Sequence, residues 1–272
     1  MPIAKVNGVG IYYEEAGRGR PLCWAHGFAC GAAMWEPQVP VFADRYRVIT
    51  FDARGHGASE VPAAPEAYSQ PTAVEDLHQL LRHLGIRQAC VGGLSMGGNV
   101  ALNFGLAHPE MVAGLIIADT GAGSDDPAGW RETVTEWAAI LEARGIEAFA
   151  DVMMAHPFLA PYAAQGPGAA RRMRSLVTTH RAQGLAHTLR GVLATRPPIY
   201  ALESRLKALE VPVLVIVGGL DEPCVKVSRY MAETLPRAEL VVIRGVGHMA
   251  TLEDPTTFNG VVDRFLASLW RG

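Results

Sequence analysis

Cys90-Val91-Gly92-Gly93-Leu94-Ser95-Met96-Gly97-Gly98 is the stretch whose reading decides the fold. Its first half is a β-prone apolar run, and Met96 to His108, which follows, has helical character and stops before Pro109. Between them, Gly93-Leu94-Ser95-Met96-Gly97 fits G-x-S-x-G, a pattern that presents a serine on a sharp strand-to-helix turn. Such a turn forces the serine backbone into a strained region, so its flanking residues must be small. Gly93, Gly97 and Gly98 meet that need.

Outward from this turn, Leu22 to Ala25, Val48 to Phe51, Cys90 to Gly93, Leu115 to Ala118, Val213 to Val217 and Leu240 to Ile243 are near-continuous apolar runs. Strands covered on both faces read this way. Helical patterns alternate with them: Pro71 to Leu84, with Thr72 as expected N-cap and Glu75 as its capping-box partner, and Pro255 to Trp270 at the end of the chain. The expected fold class is therefore α/β, with a mostly parallel, doubly wound sheet. Asn7-Gly8 between β-prone runs predicts an N-terminal antiparallel hairpin.

The alternation fails from about Gly123 to Leu206, where helix-like segments (130 to 143, 146 to 155, 168 to 183 and 185 to 194) occur without a buried strand. We expect a helical cap over residues 123–206, inserted between a first core part, 1–122, and a second, 207–272. Most of its aromatic and sulfur side chains should pack among the helices; Trp130, Trp137, Met153 and Phe158 are the candidates for substrate contact.

Composition narrows the function. The 272 residues are 49% hydrophobic and 19% charged, ample for a large core, and 24 basic against 27 acidic residues give a net charge of −3. Without a basic block, no nucleic-acid partner is expected. No apolar run approaches the roughly 20 residues of a membrane span, and the start lacks a signal-peptide pattern, so no membrane partner and a cytoplasmic location are expected. Cys23, Cys30, Cys90 and Cys224 form no C-x-x-C pair; free buried thiols, no metal and no cofactor are expected. No pattern specifies an oligomeric state.

A serine hydroxyl needs a base, and the base a carboxylate to fix its tautomer. His248 follows the strand-like run ending at Ile243, in the small-residue loop Gly245-Val246-Gly247. Asp221 follows the run ending at Val217; Asp119, after Ala118, is its rival, and the chain order Ser, Asp, His favours Asp221. The backbone N-H groups of Met96 and of Phe28, in His26-Gly27-Phe28-Ala29, are the expected oxyanion donors.

These residues resemble the α/β-hydrolase family over nearly the whole chain outside the cap. Phe51-Asp52-Ala53-Arg54-Gly55-His56-Gly57 is similar to the family's D-x-R-G-H-G loop, where the resemblance implies a structural role. It also implies a Ser95-Asp221-His248 triad, an oxyanion hole at Phe28 and Met96, and a cap over the pocket. Within the family the likeness is to small carboxylesterases and to 3-oxoadipate enol-lactonases, and His26-Gly27-Phe28 is the more esterase-like feature. Ser95, in place of an aspartate nucleophile, sets the chain apart from haloalkane dehalogenases and epoxide hydrolases. The implied activity is cleavage of a small-molecule carboxylic ester through an acyl-enzyme. The alternatives are a lactone hydrolase of the enol-lactonase type and a non-turnover ligand receptor on the same fold.

Overall fold

The computed structural model describes residues 2–270. Eight strands form one sheet: β1 (Ile3–Val6), β2 (Val9–Ala16), β3 (Arg20–Ala25), β4 (Tyr46–Phe51), β5 (Ala89–Leu94), β6 (Val112–Ala118), β7 (Val213–Gly218) and β8 (Ala238–Ile243), in the order β1-β2-β4-β3-β5-β6-β7-β8. Asn7 and Gly8, at φ 46° and 77°, close the antiparallel β1-β2 hairpin with Val6 opposite Val9, as the Asn-Gly signal predicts. β2 runs antiparallel to β4, and from β4 to β8 every pairing is parallel.

Among the described residues, eleven α-helices accompany the sheet. α1 (Val39–Phe42), α2 (Gln70–His83) and α3 (Met96–Ala107) precede β6. Between β6 and β7 lie α4 (Pro127–Ala155), α5 (Ala160–Ala163), α6 (Pro167–Thr178), α7 (Ala182–Thr188) and α8 (Glu203–Lys207). α9 (Glu222–Thr234), α10 (Ala250–Glu253) and α11 (Pro255–Leu269) follow β7. Strand alternation splits the core into two layers. Leu22, Trp24 and Ile116 face Phe258 and Phe265 of α11, while Cys23, Ala25 and Ile117 face Leu77 of α2, Phe104 of α3 and Met231 of α9. Every residue of β5 and β7 is buried, as expected for strands covered on both faces.

Three local expectations need correction. β8 is mostly half-buried, because it is the sheet's edge and only one neighbour covers it. The N-cap of α2 is Ser69, whose Oγ accepts from the Thr72 N–H at 3.1 Å; Pro71 then sits in the first turn, where its missing N–H costs nothing. Thr72 lies inside the helix, and Glu75 bonds Gln79 and His78 instead of the cap. The expected helix 168–183 ends at Thr178, and Arg181 is extended ahead of α7. The break between the first two expected segments is present: α4 is interrupted at Gly145, at φ 77°.

One buried ion pair locks the hairpin to the sheet. Arg54 places Nε 2.9 Å and Nη2 2.7 Å from the two oxygens of Asp76 on α2, while Asn7 Nδ2 donates to the same carboxylate at 2.7 Å. The two charged side chains are only 9% and 3% exposed. Removing one partner of such a pair strands the other charge, so Asp76→Ala should cost about 3–5 kcal/mol in urea-induced unfolding. The double substitution Arg54→Met with Asp76→Leu should recover most of that loss.

Candidate active site

Ser95 stands at the junction of β5 and α3 with φ 56° and ψ −111°, a left-handed conformation that L residues rarely adopt. Its N–H donates to Ala118 O at 2.9 Å, and its carbonyl accepts from the Asn99 N–H at 3.0 Å, so both neighbouring elements hold the turn. The glycines are needed because chains touch here. A Cβ on Gly97 would lie 2.1 Å from Ala25 O, one on Gly93 2.3 Å from the Gly97 carbonyl carbon, and one on Gly98 2.0 Å from Thr120 Oγ1.

Asp221 and His248 leave the ends of adjacent parallel strands, and backbone bonds draw their loops together: Gly219 N–H to Ile243 O and Leu220 N–H to Val246 O, both 2.8 Å. Both side chains are buried, and His248 Nδ1 donates to Asp221 Oδ2 at 2.7 Å. That bond leaves Nε2 of the neutral ring as an acceptor. The rival Asp119 is fully buried and accepts from the Gly218 N–H at 2.7 Å, with its second oxygen unpartnered by any side chain. Burial, followed by the nearby Asp221 carboxylate, pushes its pKa well above the usual carboxylate range. Asp221, not Asp119, therefore holds the histidine.

One pocket brings the expected residues together. Ser95, His248 and Phe28 line it with Trp130, Trp137, Met153 and Phe158, the four cap candidates. Met96 begins α3 directly after Ser95 and lines a neighbouring cavity instead of this one. Phe158 stacks on the His248 ring, with centroids 4.2 Å apart and planes inclined by 26°. No Lys, Arg, Asp or Glu lines this pocket.

A model of the α/β-hydrolase fold matches residues 20–152. A Caulobacter segnis protein named as a candidate carbamate hydrolase, RutD, is 31% identical over 94% of this chain and 96% of its own length. The chain belongs to the α/β-hydrolase family. Another relative, the 3-oxoadipate enol-lactonase 2 of Acinetobacter baylyi, is 27% identical over 94% of this chain and 92% of its own. A thermophilic esterase from Thermogutta terrifontis superposes with a TM-score of 0.89 at 29% identity, covering 99% of both chains.

In this α/β-hydrolase the D-x-R-G-H-G loop is a scaffold. Asp52 accepts from the Ala32 N–H at 2.7 Å and the Ala58 N–H at 2.8 Å, pinning the segment after Phe28 to the loop after β4. A Cβ on Gly57 would lie 2.1 Å from Asp52 Oδ2. His26, also buried, accepts from the Ala53 N–H at 2.9 Å and donates from Nδ1 to Gly27 O at 2.7 Å. His180, between α6 and α7, accepts from the Gly57 N–H at 2.7 Å and packs on His56.

Sequence reasoning missed several of these parts. Glu253 bonds the N–H groups of Gly247 and Met249 at 2.7 and 3.0 Å, clamping the loop on both sides of His248. Its only sequence signal is its place five residues after the histidine. Cys30, Leu159 and Leu193 also line the pocket without a distinguishing pattern. Metal-type ligand atoms converge within 4.8 Å at Asp221, Cys224 and His248, and at Glu75, His78 and His108. In each group two residues are three apart and only the third, His248 or His108, is distant along the chain, so spacing alone shows a pair and not the group. Among the described residues no helix is long and apolar enough to cross a membrane.

The buried histidines set the acid limit of the fold. Burial lowers His26 and His180 to about 4, and burial with the neighbouring His26 and His180 lowers His56 well below 6.5. In the unfolded chain each regains a pKa of about 6.5, so below that pH the unfolded state takes up protons that the native state refuses. Their contribution to stability is complete above pH ~6.5 and falls by about 1.4 kcal/mol per pH unit for each such histidine towards pH 4. Thermal unfolding between pH 7.5 and 5 should show this decline, and His180→Gln should make it shallower.

Proposed function

We propose that this protein is a serine carboxylesterase that hydrolyses small to medium uncharged carboxylic esters through an acyl-enzyme. The observation that carries the reading is the buried His248–Asp221 hydrogen bond at 2.7 Å, in the same pocket as the left-handed Ser95. Ser95 Oγ attacks the ester carbonyl while His248 Nε2 takes its proton; the imidazolium forms against Asp221 and returns the proton to the leaving alcohol. The C–O bond to the alcohol breaks as the tetrahedral intermediate collapses, leaving Ser95 acylated. Water, deprotonated by His248, then releases the acid. The Phe28 and Met96 N–H groups receive the oxyanion.

The helical segment 123–206 acts in this reading as a cap between core parts 1–122 and 207–272. It supplies Trp130, Trp137, Met153 and Phe158 to the pocket, and these apolar walls suit an uncharged acyl chain. Similarity to the Thermogutta esterase supports ester hydrolysis. Similarity to the Acinetobacter enol-lactonase supports a second reading, because a lactone is an ester closed in a ring and needs the same groups. The lack of a Lys or Arg side chain in the pocket favours neutral substrates over a lactone bearing a free carboxylate.

Initial rates on p-nitrophenyl esters from acetate to dodecanoate, beside 3-oxoadipate enol-lactone, test the proposal. Sustained turnover should peak among the short acyl chains and fall by about 10⁴-fold or more in Ser95→Ala and in Asp221→Asn. Preferred turnover of the enol-lactone would establish the second reading. Release of one equivalent followed by silence would replace both with a ligand receptor.

A further inference from the structure

On the far side of Trp130 from Ser95 lies a second cavity, of about 140 Å³. Two arginines, Arg131 and Arg196, line it, and no Asp or Glu does. Arg131 is exposed at the rim. Arg196 lies deeper, its guanidinium 5.5 Å from the centroid of the Trp130 ring. Its Nη2 donates to Ala122 O at 2.9 Å, whereas Nη1 is shut off from water without a hydrogen-bond partner. A guanidinium keeps its charge at every physiological pH, and a desolvated charge is costly unless an opposite charge meets it. Among the described residues no carboxylate pairs with Arg196; the two acids that follow the cavity-lining Ser124 are engaged elsewhere. Asp125 pairs with Lys226 and Tyr200, and Asp126 caps α4 through the Gly129 N–H.

The remaining walls define the ligand. Ser124 Oγ already accepts from the Ile199 N–H at 3.0 Å, so its own proton is free to be donated, and buried Asn99 also lines the cavity, with its Nδ2 donating to Ser95 O at 3.3 Å. Ala122, Pro127, Pro197 and Pro198 supply an apolar side. We propose that this cavity is a binding site for a small organic acid, its carboxylate seated on Arg196 and its short carbon chain against the prolines. The flat edge of a guanidinium matches the two oxygens of a carboxylate, and chloride would satisfy the charge while leaving the apolar side uncovered. The site shares the Trp130 wall with the ester pocket, and the proposal does not depend on the activity assigned to that pocket.

Calorimetric titration of the full chain with propionate, propionamide and chloride tests this assignment. Propionate should bind with a Kd of roughly millimolar order, and propionamide and chloride at least about tenfold more weakly. Arg196→Met should weaken propionate by about tenfold or more. Arg131→Gln, at an exposed position that spares the fold, should weaken it about two- to fivefold through loss of a rim charge. Equal binding of propionamide would show that charge plays no part, and equal binding of chloride that any anion serves. Either result, absence of propionate binding, or an unchanged Kd in both variants overturns the proposal.

Discussion

The backbone contact between Gly97 and Ala25 is the constraint on which the site depends. Helix α3 can start directly above β5 only if it passes within van der Waals distance of the end of β3. Gly97 makes that approach possible, Gly93 and Gly98 leave room for the start of α3 and for Thr120, and the bonds to Ala118 and Asn99 hold Ser95 in a conformation that costs on the order of 1–3 kcal/mol. The rest of the sheet serves this junction. β5 is enclosed by β3 and β6, and Gly92 leaves room for the Trp24 ring, which stacks on Trp35 at 4.5 Å. The strain is therefore carried by a rigid, fully covered layer.

The same logic of close approach brings in the other two side chains. A Cβ on Gly218 would lie 2.0 Å from Gly247 O, so the end of β7 and the loop after β8 meet without intervening atoms. Asp221 and His248 are brought within hydrogen-bonding distance by these backbones, and Glu253 fixes the second loop from behind. On the opposite wall, Asp52 and His26 hold the segment around Phe28 with side chains that never reach the pocket. The pocket itself is uncharged while the scaffold behind it is rich in buried polar groups.

Much of this was legible in the sequence, because backbone rules are local. The Asn-Gly hairpin, the five buried strands other than the half-buried edge strand β8, the glycine-flanked serine turn and the break at Gly145 each follow from a few adjacent residues. The α2 cap was misplaced by three residues, because Ser69 and Thr72 are both competent caps and only the position of Pro71 in the first turn separates them. The choice between Asp119 and Asp221 rested on chain order, since both end core strands. What decides it physically is that Asp119 turns towards the Gly218 N–H. The Glu253 clamp, the histidine cluster and the unpaired Arg196 join residues distant along the chain, where no periodicity operates.

Phe158 belongs to two surfaces at once. One face of its ring covers the imidazole of His248, and the side chain is also part of the wall that a substrate meets. Reshaping the pocket at this position therefore also alters the surroundings of the His248 ring. Sequence drift that reshapes this wall is coupled to the packing of the histidine ring, so changes at Phe158 and in the His248 loop are not independent. Enlarging the pocket through Met153 or Leu193, which line the same space without stacking on the histidine, follows a path free of that coupling.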